Sequence, residues 1–200
     1  MSKIFISPGD PAGIGPEITL KALSENKNIQ NNFVLAGDKE FYQNLIDEYS
    51  LEVNLIDKKS KEKGVIFEHF PLKNEVSLGN PDVSNANYIM EVLSYGALGS
   101  LNKRFKGLIT GPINKELINK SGFEFSGHTE FLAEISNTKK VVMLLTNDKL
   151  KIALLTTHIP LSEVPSKVTE KNLQETVSII LKELKKCLEN RRSISLFVRT

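Results

Sequence analysis

The sequence predicts an α/β protein whose mostly parallel, mixed sheet is flanked by helices, with one antiparallel hairpin. Three observations predict it. Short apolar runs alternate with amphipathic stretches of helical period. Several of the runs stop abruptly at glycine and proline. Finally, Val141–Thr146 and Lys151–Thr156 are joined by the short connection Asn147-Asp148-Lys149, which fits a hairpin.

In chain order, Ile4–Ser7 reads as a first strand ended by Pro8-Gly9. Pro16 then opens a helix through about Ser24, with Glu17 complementing the positive helix end. Between them lies Pro8-Gly9-Asp10-Pro11-Ala12-Gly13-Ile14-Gly15, and three glycines and two prolines in so short a loop imply a backbone held close to something. A tight strand-to-helix turn is the alternative explanation of the same loop. Phe33–Asp38 reads as a second strand, followed by a helix near Lys39 to Tyr49, and Val65–Phe70 as a third strand containing His69, which is assigned no role. Ser84 is expected to cap a long helix to about Asn102, with Ile89, Val92, Leu93, Ala97 and Leu101 on one face. Gly96 and Gly99 weaken that helix but let a neighbour approach closely.

Gly107–Pro112 is a strand with a glycine-proline stop, leading to Asn114-Lys115. Ser126–Phe131 reads as a loop entering a helix, with Thr129 as the expected N-cap. After the hairpin, Thr156-Thr157-His158 leads into a proline-containing loop, Thr169 caps a helix through about Leu188, and Ser193–Val198 reads as a last strand.

Composition bounds the function. In 200 residues there is ample material for a core, and 40% hydrophobic with 25% charged residues is ordinary for a globular protein. A formal charge of +2 is too small to argue for nucleic acid or a membrane surface, and neither is expected as a partner. Cys187 is the sole cysteine, which excludes an intrachain disulfide and a cysteine-based metal site and fits a reducing, cytoplasmic setting. No signal peptide is read at the N-terminus and no window approaches a membrane span.

The Rossmann fingerprint needs a third glycine where Ile18 stands, and Pro16 interrupts the turn; Asp38 imitates the ribose-binding acid but falls late. No Gly-Lys-Ser/Thr follows the glycines, so a Walker loop fails. Ser126 neighbours His128 without the marks of a nucleophile elbow. The helix start at Ser126–Phe131 can face an anion, with His128 beside it as donor or acceptor; a capped helix with a surface histidine is the plainer alternative. His128 and His158 are the imidazoles placed at loop ends where α/β sheets carry function. Two histidines do not complete a catalytic metal site, which takes three protein ligands.

Taken together, four pieces of the sequence resemble the 4-hydroxythreonine-4-phosphate dehydrogenases (PdxA) of vitamin B6 synthesis. They are Pro8-Gly9-Asp10-Pro11-Ala12-Gly13-Ile14-Gly15-Pro16-Glu17, Leu108-Ile109-Thr110-Gly111-Pro112-Ile113-Asn114-Lys115, Gly127-His128-Thr129-Glu130-Phe131 and Thr156-Thr157-His158-Ile159-Pro160-Leu161, in family order across the chain to about residue 190. The first also resembles the glycine-proline loop of isocitrate and isopropylmalate dehydrogenases, whose fold the resemblance implies. The implied reaction is NAD-dependent (or NADP-dependent) oxidation and decarboxylation of 4-phosphooxy-L-threonine to 3-amino-2-oxopropyl phosphate. It also implies a divalent metal (zinc, magnesium or cobalt) held by three histidines, a small phosphorylated substrate and a homodimer with its site between subunits.

By position, His158 matches the first metal ligand, and His128 and Thr129 match the pair that contacts substrate. Asp10, Gly13, Thr110, Gly111, Asn114 and Lys115 are expected to line the same cleft. The family pattern continues with an Asn-Pro-His-Ala-Gly stretch carrying a second metal histidine, then a third histidine, and these are not found in this sequence. Residues 1–190 are therefore expected to match the N-terminal part of the dehydrogenase, and residues 191–200 to form a divergent or truncated tail. Two alternatives stay open: a related dehydrogenase acting on another phosphorylated hydroxy acid or a cyclic diol, and a non-catalytic, anion-binding interaction protein.

Overall fold

Side-chain alternation along short strands decides which helices cover which face of the sheet. The computed structural model describes residues 3–147 and 149–188, and the chain divides into two units between Thr138 and Lys139. In the first unit, strands β1 (Ile4–Ser7), β2 (Phe33–Gly37), β3 (Leu55–Ile56), β4 (Val65–His69) and β5 (Gly107–Thr110) form one parallel sheet, ordered β3-β4-β2-β1-β5. Phe5, Val34 and Ala36 point to one face, and Ile6, Leu35, Val65 and Phe67 to the other, as the two-residue period of a strand requires.

The first face is covered by Ile89 and Leu93 of α3 (Ala86–Leu101), Leu117 and Ile118 of α4 (Lys115–Lys120), and Phe125. The second is covered by Leu20 and Leu23 of α1 (Gly15–Glu25), with Tyr42, Leu45 and Ile46 of α2 (Lys39–Glu48). A last helix of this unit, α5 (His128–Ile135), packs Phe131 against the first cluster. Both faces of the sheet are thus buried, which is why its strands read as continuous apolar runs.

Three local expectations change. Ser84 does not cap α3: Asp82 accepts from the Ser84 amide at 2.7 Å, a single 3-10 turn follows at Val83–Asn85, and the α-helix starts at Ala86. The aspartate two residues upstream takes the amide and so fixes the entry geometry first. Leu101, on the expected apolar face, is 51% exposed at the helix end, while Ile89, Val92, Leu93 and Ala97 are buried as expected. Strand β3 was missed because two residues carry no readable period. The glycines of α3 do admit close neighbours: Phe5 and Leu108 lie against Gly96, and the ring of Phe105 against Gly99.

In the second unit, β6 (Leu144–Thr146) and β7 (Lys151–Ala153) pair antiparallel as a separate two-stranded sheet, shorter than the apolar runs that announced them. Asn147 closes the turn, its side-chain oxygen accepting from the amides of Lys149 at 2.9 Å and Leu150 at 2.8 Å. Short helix α6 (Val164–Lys167) precedes α7 (Glu170–Leu188), whose start is capped by Thr169 as expected, through Asn172 N–H to Thr169 Oγ1 at 3.2 Å. Lys140 ties the start of the unit to α7 through Glu175 at 2.9 Å. The strand expected at Ser193–Val198 lies outside the described residues. No described helix is long and apolar enough to cross a membrane.

Candidate active site

The sheet order turns back at β1: strands β2, β4 and β3 lie on one side of it and β5 on the other. In open parallel sheets the crevice for a ligand lies at the carboxyl ends of strands at such a reversal. Here the loops leaving β1 and β5 meet. Asp10 N–H donates to the Pro112 carbonyl at 3.1 Å, and Gly111 N–H to the Ser7 carbonyl at 2.7 Å. A side-chain carbon at Gly9 would overlap the Pro112 carbonyl oxygen, and one at Gly15 or Gly111 the Pro8 carbonyl oxygen. Gly9 also holds φ at +90°, open to glycine alone at low cost. The dense glycine of these loops therefore serves a backbone-to-backbone seam, and it brings Asp10, Thr110 and Gly111 together.

Asp10 is 4% exposed. Its Oδ1 accepts from Ala12 N–H at 3.0 Å, and its carbonyl from Gly13 N–H at 3.1 Å. Burial raises its carboxyl above the ordinary aspartate value, and the Ala12 hydrogen bond offsets only part of that. Gly13 borders a cleft of about 390 Å³ walled by Ile14, Glu17, Tyr49, Leu78 and Pro81. His128, Thr129 and Lys115 do not line this cleft, so its size does not mark it as the place where their chemistry happens.

The residue before α5 sets that chemistry. Gly127, with extended backbone, is the N-cap: its carbonyl accepts from Phe131 N–H at 3.0 Å, and the helix begins at His128. Thr129 is not the cap; it sits half-buried in the first turn, because the glycine lets the helix start two residues earlier than a threonine cap would. His128 is half-buried, with its ring edge-on to Phe125 at 5.7 Å. Its Nε2 is buried and has no hydrogen-bond partner, alone in that respect among the buried side-chain nitrogens and oxygens of the described residues. Leaving such a group unpaired costs about 1–3 kcal/mol. Burial first, and the charge of Lys115 second, hold the imidazole below the ordinary histidine value, so it is neutral at pH 7.

Helix α4 arranges this corner. Asn114 caps it by accepting from Leu117 N–H at 3.2 Å, which commits that side-chain oxygen to structure. Lys115, the first helical residue, reaches over Gly127: its Nζ lies 3.3 Å from where a side-chain carbon on Gly127 would be, and Glu130 Oε2 lies 2.8 Å from the same point. Further along, Asn119 grips Phe125 at two points, donating to its carbonyl at 3.1 Å and accepting from its amide at 2.7 Å. Asn119 and Phe125 thereby position His128, and the sequence reading missed both. The available signal was the alternation Phe123-Glu124-Phe125 just ahead of Ser126, which announces a buried approach to the helix.

His158 belongs to the second unit, where it is exposed and holds a left-handed backbone with φ of +57°. That conformation is uncommon for a residue with a side chain and is often found at functional turns. Among the described residues no three or more of histidine, cysteine, aspartate and glutamate gather as a metal site. These residues therefore do not by themselves fit a divalent cation, and His158 stands as one donor. His69, given no role, accepts from Lys39 N–H through Nδ1 at 3.1 Å, and Asp38 accepts from Phe41 and Leu72 amides at 3.1 and 3.0 Å. Both are end groups of the α2 helix start, which explains why Asp38 only imitated a ribose-binding acid.

A family model described as pyridoxal phosphate biosynthetic protein PdxA matches residues 28–197. The 4-hydroxythreonine-4-phosphate dehydrogenase of Vibrio cholerae is 38% identical over 189 residues, covering 91% of this chain and 57% of that protein. The enzyme of that name from Yersinia pestis is 31% identical over 191 residues, covering 92% and 57%. The chain therefore spans little more than half the length of the curated relatives it matches. Among solved structures, 4-hydroxythreonine-4-phosphate dehydrogenase from Klebsiella pneumoniae superposes with a TM-score of 0.83 at 25% identity, over 96% of this chain and 62% of that one. A terephthalate 1,2-cis-dihydrodiol dehydrogenase from Burkholderia xenovorans shares the fold, with a TM-score of 0.62 at 19% identity over 94% and 59%. On the match of the family model over most of its length, the chain belongs to the pyridoxal phosphate biosynthetic protein PdxA family.

Proposed function

We propose that this chain supplies the substrate-gripping part of a dehydrogenase that oxidises and decarboxylates 4-phosphooxy-L-threonine to 3-amino-2-oxopropyl phosphate in vitamin B6 synthesis. In that reaction the alcohol carbon gives a hydride to NAD (or NADP) and its hydroxyl releases a proton to solvent; the carboxylate then leaves as carbon dioxide, and the electron pair left on the amino-bearing carbon takes up a proton. His128 and Thr129 contact the substrate, the seam carrying Asp10, Thr110 and Gly111 forms the floor beside it, and Gly13 and Asn114 lie on the loops that leave that seam. His158 is one donor to a divalent metal, zinc, magnesium or cobalt, whose other donors lie outside the described residues. Such a metal, held in part by His158, would serve as a Lewis acid toward the reacting oxygens. The working form is a cytoplasmic homodimer.

The observation that carries this reading is the buried, unpartnered Nε2 of His128 at the start of α5. Such a group is satisfied when a ligand supplies the missing hydrogen bond. Calorimetric titration of the 200-residue chain with 4-phosphooxy-L-threonine tests it. Binding that weakens at least about tenfold in His128→Ala is expected, equivalent to about 1.4 kcal/mol. No binding, or binding indifferent to His128, overturns it. An assay with NAD, magnesium and the same compound is expected to give turnover near background, because one histidine does not complete the metal site.

A further inference from the structure

We propose that Lys115 and Glu130 together form the specificity pair of this site, Lys115 meeting the carboxylate and Glu130 the ammonium group of an α-amino acid substrate. This rests on the reading of the start of α5 as the substrate site. Both side chains converge on one point over Gly127, the residue immediately before His128: Lys115 Nζ at 3.3 Å and Glu130 Oε2 at 2.8 Å from the position of an added side-chain carbon. Glycine at 127 is what leaves room for the two charged groups.

Neither group is committed elsewhere. Among the described residues, Lys115 and Glu130 form no ion pair with each other or with a neighbour, and no hydrogen bond through their side chains. On the same short helix, Glu116 and Lys120 do pair, at 2.7 Å. One cation and one carboxylate held side by side and unspent make a two-signed surface. A zwitterion presents its carboxylate and ammonium on one carbon and meets both charges at once. A purely anionic hydroxy acid or a neutral diol meets Glu130 unfavourably or not at all.

The neighbouring charge pattern agrees. The positive charge of Lys115 is felt at His128, whose imidazole stays neutral and free to hydrogen-bond the hydroxyl end of the same ligand. Phe125, clamped by Asn119, fixes the ring so that hydroxyl and amino acid ends are read from one corner.

The test is calorimetric titration of the full chain with two ligands, 4-phosphooxy-L-threonine and its analogue lacking the amino group. Lys115→Met is expected to weaken both at least about tenfold, with Lys115→Arg restoring most of the affinity. Glu130→Gln is expected to weaken the amino acid about tenfold while leaving the des-amino analogue unchanged or tighter. Wild-type affinity in Lys115→Met, or equal losses for both ligands in Glu130→Gln, overturns the pair. If His128→Ala still loses binding in that case, the substrate-site reading stands and only this inference fails; if the wild-type chain binds neither ligand, both fall. The His128 imidazole titration, followed by NMR, is expected to move upward in Lys115→Met, because the charge of Lys115 is one of the two causes that lower it.

Discussion

Asp10 illustrates what the seam demands of a single side chain. Its carboxyl is raised by burial, so the folded state holds its proton more tightly than the unfolded chain does. The sign follows from linkage: stability falls as pH rises from the unfolded aspartate value of 3.8 through the higher folded value, and stays reduced above it. Asp10→Asn keeps an oxygen for the Ala12 amide and removes the charge. It is expected to raise the melting temperature at pH 7 and to leave it nearly unchanged near pH 3; equal effects at both pH values would contradict the assignment. His128 runs oppositely. Its folded value is depressed, so its contribution is lost as pH falls below about 6.5. At this scale the sequence was informative about which residues gather and silent about their state. The glycines, His128 and Lys115 stand out by type and order, but no pattern in the chain announces that Nε2 is sealed without a partner.

The strands and helices that pack against the sheet were legible because apolar periods of two and 3.6 residues are written directly in the sequence. Their ends were less so. Thr129 and Ser84 have the right chemistry for caps, yet Gly127 and the Asp82 turn do the work, since capping is decided by backbone geometry a few residues upstream. The connection between α4 and α5 depends on one side chain, Asn119. Asn119→Ala leaves the buried Phe125 without both of its hydrogen bonds and is expected to cost about 2 kcal/mol. Because Phe125 also orients His128, the same variant should weaken 4-phosphooxy-L-threonine binding more than a surface change of equal stability cost, measured by chemical denaturation alongside calorimetry. Thr169→Ala, by comparison, removes a helix cap far along the chain and should cost about 1 kcal/mol with no effect on that binding.

For the whole molecule, both apolar clusters lie within the first unit, from Phe5 to Phe131. A fragment of residues 1–138 is therefore expected to fold by itself, with a cooperative thermal transition and amide spectra that overlay those of the full chain; a disordered fragment would refute this. The division into two units was not readable beforehand, because the alternation of strand and helix continues across Thr138 without a change in composition. Hairpin and long helix were foreseen there, but not that the hairpin forms a sheet of its own.

The meeting of the β1 and β5 loops also governs how the chain can recover from damage. At Gly37 an added carbon would strike the ring of Tyr42, with the Tyr88 hydroxyl 3.0 Å away, and a smaller residue at position 42 removes the closer, side-chain obstacle. At Gly111 or Gly15 the obstacle is the carbonyl of Pro8, which every amino acid carries. In a selection for second-site suppressors, Gly37→Ala should yield revertants at Tyr42, whereas Gly111→Ala should yield only reversion at its own codon. The seam is thus a part of the protein whose losses no other side chain can repair.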